Sequence, residues 1–184
     1  SASRLAAADL DRDGAVDLAL GAPVGDCRLA FGRNLDASRL PLDSWTRHVI
    51  DDARPWGAIF VLHGDLDRDG REDIVSGGWW YRNPGANDGV WTRQTIGAPL
   101  NNVILVHDLD RDGDLDLFGT EGQGAAVNPN LYWAENDGQG GFDVHPRVAV
   151  GHGDFPQGMA IGRFGQALQD GVVPEGIALS WHDQ

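Results

Sequence analysis

The sequence predicts an all-β fold built from four-stranded antiparallel units, and three observations predict it. Apolar residues fall in short runs stopped by glycine, of which there are 26, and helical periodicity is nearly absent. The pattern D-x-D-x-D-G-x-x-D stands three times, beginning at Asp9, Asp65 and Asp108 and leading each time into a short apolar run. The copies start 56 and then 43 residues apart, the size of one four-stranded β-propeller blade.

Each unit can be laid out around its aspartate loop. In the first, approximately 4–51, one strand (4–8) enters the loop and a second (17–21) leaves it. Runs at 27–32 and 45–51 supply the third and fourth strands. The second unit, 55–97, repeats this with strands at 59–64, 73–77, 79–83 and 91–96. Its last strand, Val90-Trp-Thr-Arg-Gln-Thr-Ile96, parallels Ser44-Trp-Thr-Arg-His-Val-Ile50 of the first. The third unit, 99–150, places strands at 103–107, 116–121, 131–136 and 142–150. A fourth, degenerate unit at 156–184 offers an entering strand (159–164) and a leaving strand (176–181), but the loop between them has lost the run of aspartates, and no calcium is expected there. The segments Asn87-Asp88-Gly89 and Asn136-Asp137-Gly138 read as turns between strands. The whole chain, 1–184, thus reads as about three and a half blades of one propeller segment. An open ring leaves an apolar sheet face in water, so the chain is expected either to belong to a longer polypeptide or to complete its ring as a homo-oligomer.

Four carboxylates in nine residues repel one another unless a cation neutralises them, and hard oxygen donors at this density suit calcium. By analogy with other acidic calcium loops, positions 1, 3, 5 and 9 offer side-chain oxygens. These are Asp9, Asp11, Asp13 and Asp17; Asp65, Asp67, Asp69 and Asp73; and Asp108, Asp110, Asp112 and Asp116. Position 7 (Ala15, Arg71, Asp114) offers its backbone carbonyl, and glycine at position 6 supplies the sharp turn. The expected cofactor is therefore structural Ca2+, up to three ions. An EF-hand is excluded, because its position-12 glutamate is replaced by Leu20, Ser76 and Gly119 and no helices flank the loops.

The net charge of -14 follows from the same loops, whose proposed side-chain ligands are twelve of the 28 acidic side chains. It argues against nucleic acid as a partner. No apolar run is long enough for a membrane span. The single Cys27 cannot form an internal disulfide and falls in an expected strand. Loops of modest affinity fill where calcium is plentiful, so a secreted, periplasmic or cell-surface location is expected.

Connections in an antiparallel sheet alternate between its two ends, so the end opposite the calcium loops gathers a different set of residues. That set holds Trp56, Trp79, Trp80, Tyr81, Asn101, Asn102, Glu121, Gln123, His152, Asp154, Trp181 and His182. Aromatic rings beside amides and imidazoles suit a sugar ring, whose C–H faces stack and whose hydroxyls need hydrogen-bond partners, with Trp79, Trp80, Tyr81, Glu121 and Trp181 as the ligand candidates. The bland alternative for the aromatics is packing between sheets. His152 and His182 fall on neighbouring connections and are the candidate acid and base if the chain is an enzyme. No phosphate loop, nucleophile elbow or HExxH motif is present.

The aspartate loops, set between short strands at blade spacing, resemble the FG-GAP/VCBS repeats of integrin α-subunit heads and of secreted bacterial propellers. The resemblance covers residue 4 to about 150 well, and implies a calcium-binding propeller that recognises a carbohydrate or protein ligand. A shorter resemblance, carried by Gly78-Trp79-Trp80-Tyr81-Arg82-Asn83-Pro84 and by the stretches around His152 and Trp181, is to propeller-bearing sugar lyases and the aldos-2-ulose dehydratase type. It implies the alternative, a carbohydrate lyase or dehydratase.

Overall fold

A computed structural model describes residues 4–21, 28–33, 46–86, 89–122, 130–151, 155–168 and 173–182. Among them every named element is a β-strand. The first sheet contains β1 (Arg4–Ala8), β2 (Asp17–Gly21), β3 (Leu29–Arg33) and β4 (Thr46–Asp51). The second contains β5 (Leu62–Gly64), β6 (Asp73–Ser76), β7 (Trp79–Arg82) and β8 (Thr92–Thr95), and the third β9 (Asn102–His107), β10 (Asp116–Thr120), β11 (Asn130–Asn136) and β12 (Phe142–Val150). A two-stranded sheet follows, β13 (Phe155–Gly162) with β14 (Gly176–His182). Every pairing is antiparallel and each sheet keeps its strands in chain order. Cys27, Trp45, Asn87, Asp88, Gln123, His152 and Asp154 lie outside the described residues.

Period-2 alternation decides what each sheet face meets. In β6, Ile74 points to the first sheet and Val75 to the third, and both are fully buried. Between the first and second sheets, Ala19, Leu29 and Phe31 meet Ile74, Trp79 and Tyr81. Between the second and third, Val75, Trp80 and Ile96 meet Val103, Leu117 and Tyr132. Leu105, Phe118 and Leu131 then receive Met159, Ile177 and Leu179 of the last sheet. Burying one such side chain contributes about 1.5–3 kcal/mol, so these three layers dominate the stability of the stack.

The first strands of consecutive sheets lie against one another, β1 on β5, β5 on β9 and β9 on β13. All four line a cavity of about 430 Å³ through residues that include Leu5, Leu62, Leu105 and Met159. The strand bounds match the sequence expectation within a few residues. The largest differences are β5, which is three residues long, and β13, which begins at Phe155 and carries a register shift between Pro156 and Gly158.

The first sheet has an uncovered face. Leu5, Leu20 and Val49 are 48%, 40% and 51% exposed, whereas Ile74 and Leu117, which follow the last loop aspartate as Leu18 does, are wholly buried by the preceding sheet. Polar links reinforce the first junction. Tyr81 Oη donates to Asp51 Oδ2 (3.0 Å), Arg93 donates to the same oxygen (2.9 Å), and the buried Arg54 donates to Ser76 Oγ and to the Arg28 carbonyl.

Candidate metal loops and the opposite pocket

The three aspartate loops share one backbone geometry. The N–H of position 2 donates to Oδ2 of position 9: Leu10 to Asp17, Leu66 to Asp73 and Leu109 to Asp116, at 3.0, 3.1 and 3.0 Å. The glycine N–H at position 6 reaches back to Oδ2 of position 1, as Gly14 to Asp9, Gly70 to Asp65 and Gly113 to Asp108. Positions 5 and 7 donate to the carboxylates two residues earlier. The glycines take φ of 88°, 84° and 96°, the left-handed region where a Cβ is costly. Position 4 does the same with arginine: Arg12, Arg68 and Arg111 have φ of 60°, 55° and 68°. Sequence reasoning missed this, because arginine has no special tolerance for that region.

Whether the loops fit a cation can be tested on the atoms left over. In each loop the first aspartate keeps Oδ1 buried and without a hydrogen-bond partner: Asp9, Asp65 and Asp108. Such an orphaned acceptor is costly unless something positive meets it. Around it three carboxylates bring one oxygen each to within 4.8 Å of one another. They are Asp9, Asp11 and Asp13 in the first loop; Asp65, Asp67 and Asp73 in the second; and Asp108, Asp110 and Asp116 in the third. The residues present therefore fit a hard divalent cation, which would supply the positive charge the cluster lacks. Burial pushes the Asp73 carboxyl up to about 7, with Asp67 and Asp69 adding to the shift, and lifts Asp114 to about 6. Both are what carboxylates do when their charge has no answer.

The loops differ in how much of that answer the protein already provides. In the second loop, Arg82 pairs with Asp67 (2.6 Å) and approaches Asp69 (3.5 Å), and Arg71 at position 7 also pairs with Asp69. The third loop carries a fifth aspartate, Asp114, at position 7; it is buried, with Arg68 of the second loop 3.6 Å away. At position 7 the first loop has a buried Ala15.

The structure brings together part of the expected ligand set at the opposite end. The Gly77-Gly78 turn, the link from β8 to β9 and the residues after β10 surround a pocket of about 540 Å³ that includes Trp56, Trp79, Asn101 and Glu121. Trp56 and Trp79 lie 4.4 Å apart between ring centroids, and Arg93 covers the Trp79 ring at 5.6 Å. Glu121 is held by the Tyr132 hydroxyl, which donates to it.

The remaining candidates lie elsewhere. Trp80 points to the other face of its sheet and is buried among Val75, Leu117 and Tyr132. Tyr81 is fully buried and bonded to Asp51. Asn102 is buried with Thr120. Trp181 packs on the Leu105 and Phe118 layer, its ring directly over Gly151. His152 lies outside the described residues, and His182 is described only as the last residue of β14. Of the other histidines, His63 bonds Glu72 (2.8 Å) beside the second loop, while His48 and His145 stack on Phe31 and Trp133.

Sequence reasoning also missed Asn83 and Asn136, both buried at the end of the third strand of their sheets. The available signal was positional: Trp80-Tyr-Arg-Asn83 and Trp133-Ala-Glu-Asn136 set an asparagine three residues after a tryptophan. Comparison with family models, curated proteins and solved structures finds no match to this chain, so the functional reading rests on the geometry described above.

Proposed function

We propose that the chain is a segment of a calcium-dependent β-propeller of the FG-GAP/VCBS type. In this reading the three aspartate loops hold structural calcium at one end of the sheets. The pocket at the other end recognises a carbohydrate or protein ligand outside the cell. The observation that carries it is the orphaned, buried Oδ1 of Asp9, Asp65 and Asp108, repeated in three loops of the same geometry. The propeller arrangement is supported by the cavity that the first strands of all four sheets share. The uncovered face of the first sheet supports a partial propeller, completed by further blades or by a second copy of the chain. Among the described residues, no helix is long and apolar enough to cross a membrane.

Trp56, backed by the buried Trp79, and Glu121 give the pocket a ring face and the hydrogen-bonding groups that a sugar needs. The enzyme alternative, a lyase or dehydratase working through His152 and His182, has no described side-chain geometry behind it. The test is native mass spectrometry with calcium, followed by a glycan and protein array probed with and without chelator. Three bound ions and a retained ligand that Trp56→Ala releases are expected. Failure to bind any calcium at millimolar concentration overturns the metal reading, and ligand retention by Trp56→Ala overturns the pocket.

A further inference from the structure

The two buried asparagines that the strand pattern did not single out each touch two aspartate loops at once. Asn83 closes the third strand of the second sheet. Its backbone N–H donates to Asp73 Oδ1 (2.8 Å), the last carboxylate of the second loop. Its Nδ2 donates to the Glu72 carbonyl in the same loop (2.8 Å) and to the Leu10 carbonyl in the first loop (2.6 Å), 73 residues away. Asn136 repeats every one of these bonds one sheet further on. Its N–H donates to Asp116 Oδ1 (3.0 Å), and its Nδ2 to the carbonyls of Leu115 in the third loop and Leu66 in the second, both at 2.9 Å. The side-chain oxygens are used as well, accepting from Gly85 and from Gly138 and Gly140. Both residues are 3% exposed, so a lost partner would not be replaced by water.

The carbonyls chosen matter. Leu10 stands between Asp9 and Asp11, and Leu66 between Asp65 and Asp67, so each bond fixes the peptide joining the first two carboxylates of the preceding loop. The same leucines are held through the peptide on their other side, where the Leu10 and Leu66 N–H groups donate to Asp17 and Asp73. A second contact runs in the opposite direction. The left-handed arginine at position 4 reaches toward the following loop: Arg12 lies over Gly70, and Arg68 Nη2 approaches Asp114 Oδ2. At the last junction, where the D-x-D-x-D-G-x-x-D pattern is not repeated, Arg111 meets Glu175 instead (3.5 Å).

We infer that Asn83 and Asn136 are positioning residues that couple neighbouring cation sites, so that filling one loop orders the next and calcium binds cooperatively along the stack. The inference rests on the cation reading of the loops. Asparagine is required because only an amide offers two donors to two carbonyls while its oxygen caps a turn; aspartate would put a charge against both carbonyls. Coupling of this kind is reciprocal: whatever the first loop's ion does for the second, the second loop's ion does for the first.

The test is a calcium titration followed by hydrogen exchange, which reads a separate midpoint from peptides covering 9–17, 65–73 and 108–116. Asn83→Ala is expected to raise the midpoints of the first and second loops by about fivefold to tenfold and to leave the third within about twofold. Asn136→Ala is expected to raise the second and third and spare the first. A shift confined to each asparagine's own loop overturns the coupling while leaving the cation reading intact. Wild-type loops that gain no protection with calcium overturn both. Should Asn83→Ala fail to fold, Asp13→Asn carries the same test from an exposed position. It disables the first loop and is expected to raise the second loop's midpoint about threefold or more, and an unchanged second loop overturns the proposal.

Discussion

The second and third aspartate loops share their backbone hydrogen bonds and differ in what answers their charge. In the second loop Arg71 and Arg82 already lie on Asp69 and Asp67, while the third places the buried Asp114 where the second has Arg71. One sequence motif thus yields two electrostatic environments. The loop backbone is set by the aspartates and glycine of the motif, but the demand for a cation is set by position 7 and by a residue on the neighbouring strand. A cation entering the second loop has to displace guanidinium groups from its own ligands, so the third loop is expected to fill at lower calcium concentration than the second.

The largest effect that bears on this comparison is removal of calcium altogether. Three ions, each at about a hundred times its dissociation constant, contribute about 8 kcal/mol, and chelation is expected to lower Tm by about 15 °C or more by scanning calorimetry. An unchanged Tm would mean that arginines and backbone donors suffice in all three loops. Next comes Asp112→Ala, expected to weaken calcium at the third loop about a hundredfold and to lower Tm in calcium by about 5 °C. Isothermal titration and calorimetry check it; unaltered stoichiometry and melting would remove Asp112 from the ligand set.

Arg71→Ala separates the loops more finely. Deleting a competing charge should tighten calcium at the second loop by about threefold to tenfold, whereas the structural loss of a partly exposed ion pair is small. Weaker binding in this variant would show that Arg71 organises the loop rather than competing in it. The smallest effect is expected of Glu121→Gln, at the far end of the sheets, which should leave all calcium midpoints alone and move Tm by less than about 2 °C. A shift in any loop midpoint would break the separation of the two ends.

The sequence carried the strands that flank the loops, because Asp17-Leu-Ala-Leu and Asp116-Leu-Phe-Gly combine a fixed acidic boundary with period-2 apolarity and a glycine stop. It also carried the end on which Trp56, Trp79, Asn101 and Glu121 assemble, since strand alternation fixes which connections share an end. Alternation further required that Trp79 and Trp80 part company. It could not say which faces the pocket side, because that depends on what the neighbouring sheets bring: Phe31 and Tyr81 on one side, Leu117 and Tyr132 on the other. The asparagine bonds were hidden for a related reason. Asn136-Asp137-Gly138 is a turn between β11 and β12, as its sequence predicts, but its amide is consumed by a carbonyl 70 residues away. Local pattern assigns a residue its conformation and is silent on a partner that only the stacking of sheets supplies.

The last aspartate of each loop has a kinetic consequence. Asp17, Asp73 and Asp116 are fully buried, and each accepts the position-2 N–H of its loop, closing the turn by protein contacts alone. With that link closed in advance, the turn does not have to fold around an arriving ion, and only the carboxylates between its ends are left to order, the part that a filled neighbouring loop steadies through Asn83 or Asn136. Association is then limited by how fast calcium sheds its water rather than by folding of the loop, and differences in affinity among the three sites will be written in how long each ion stays.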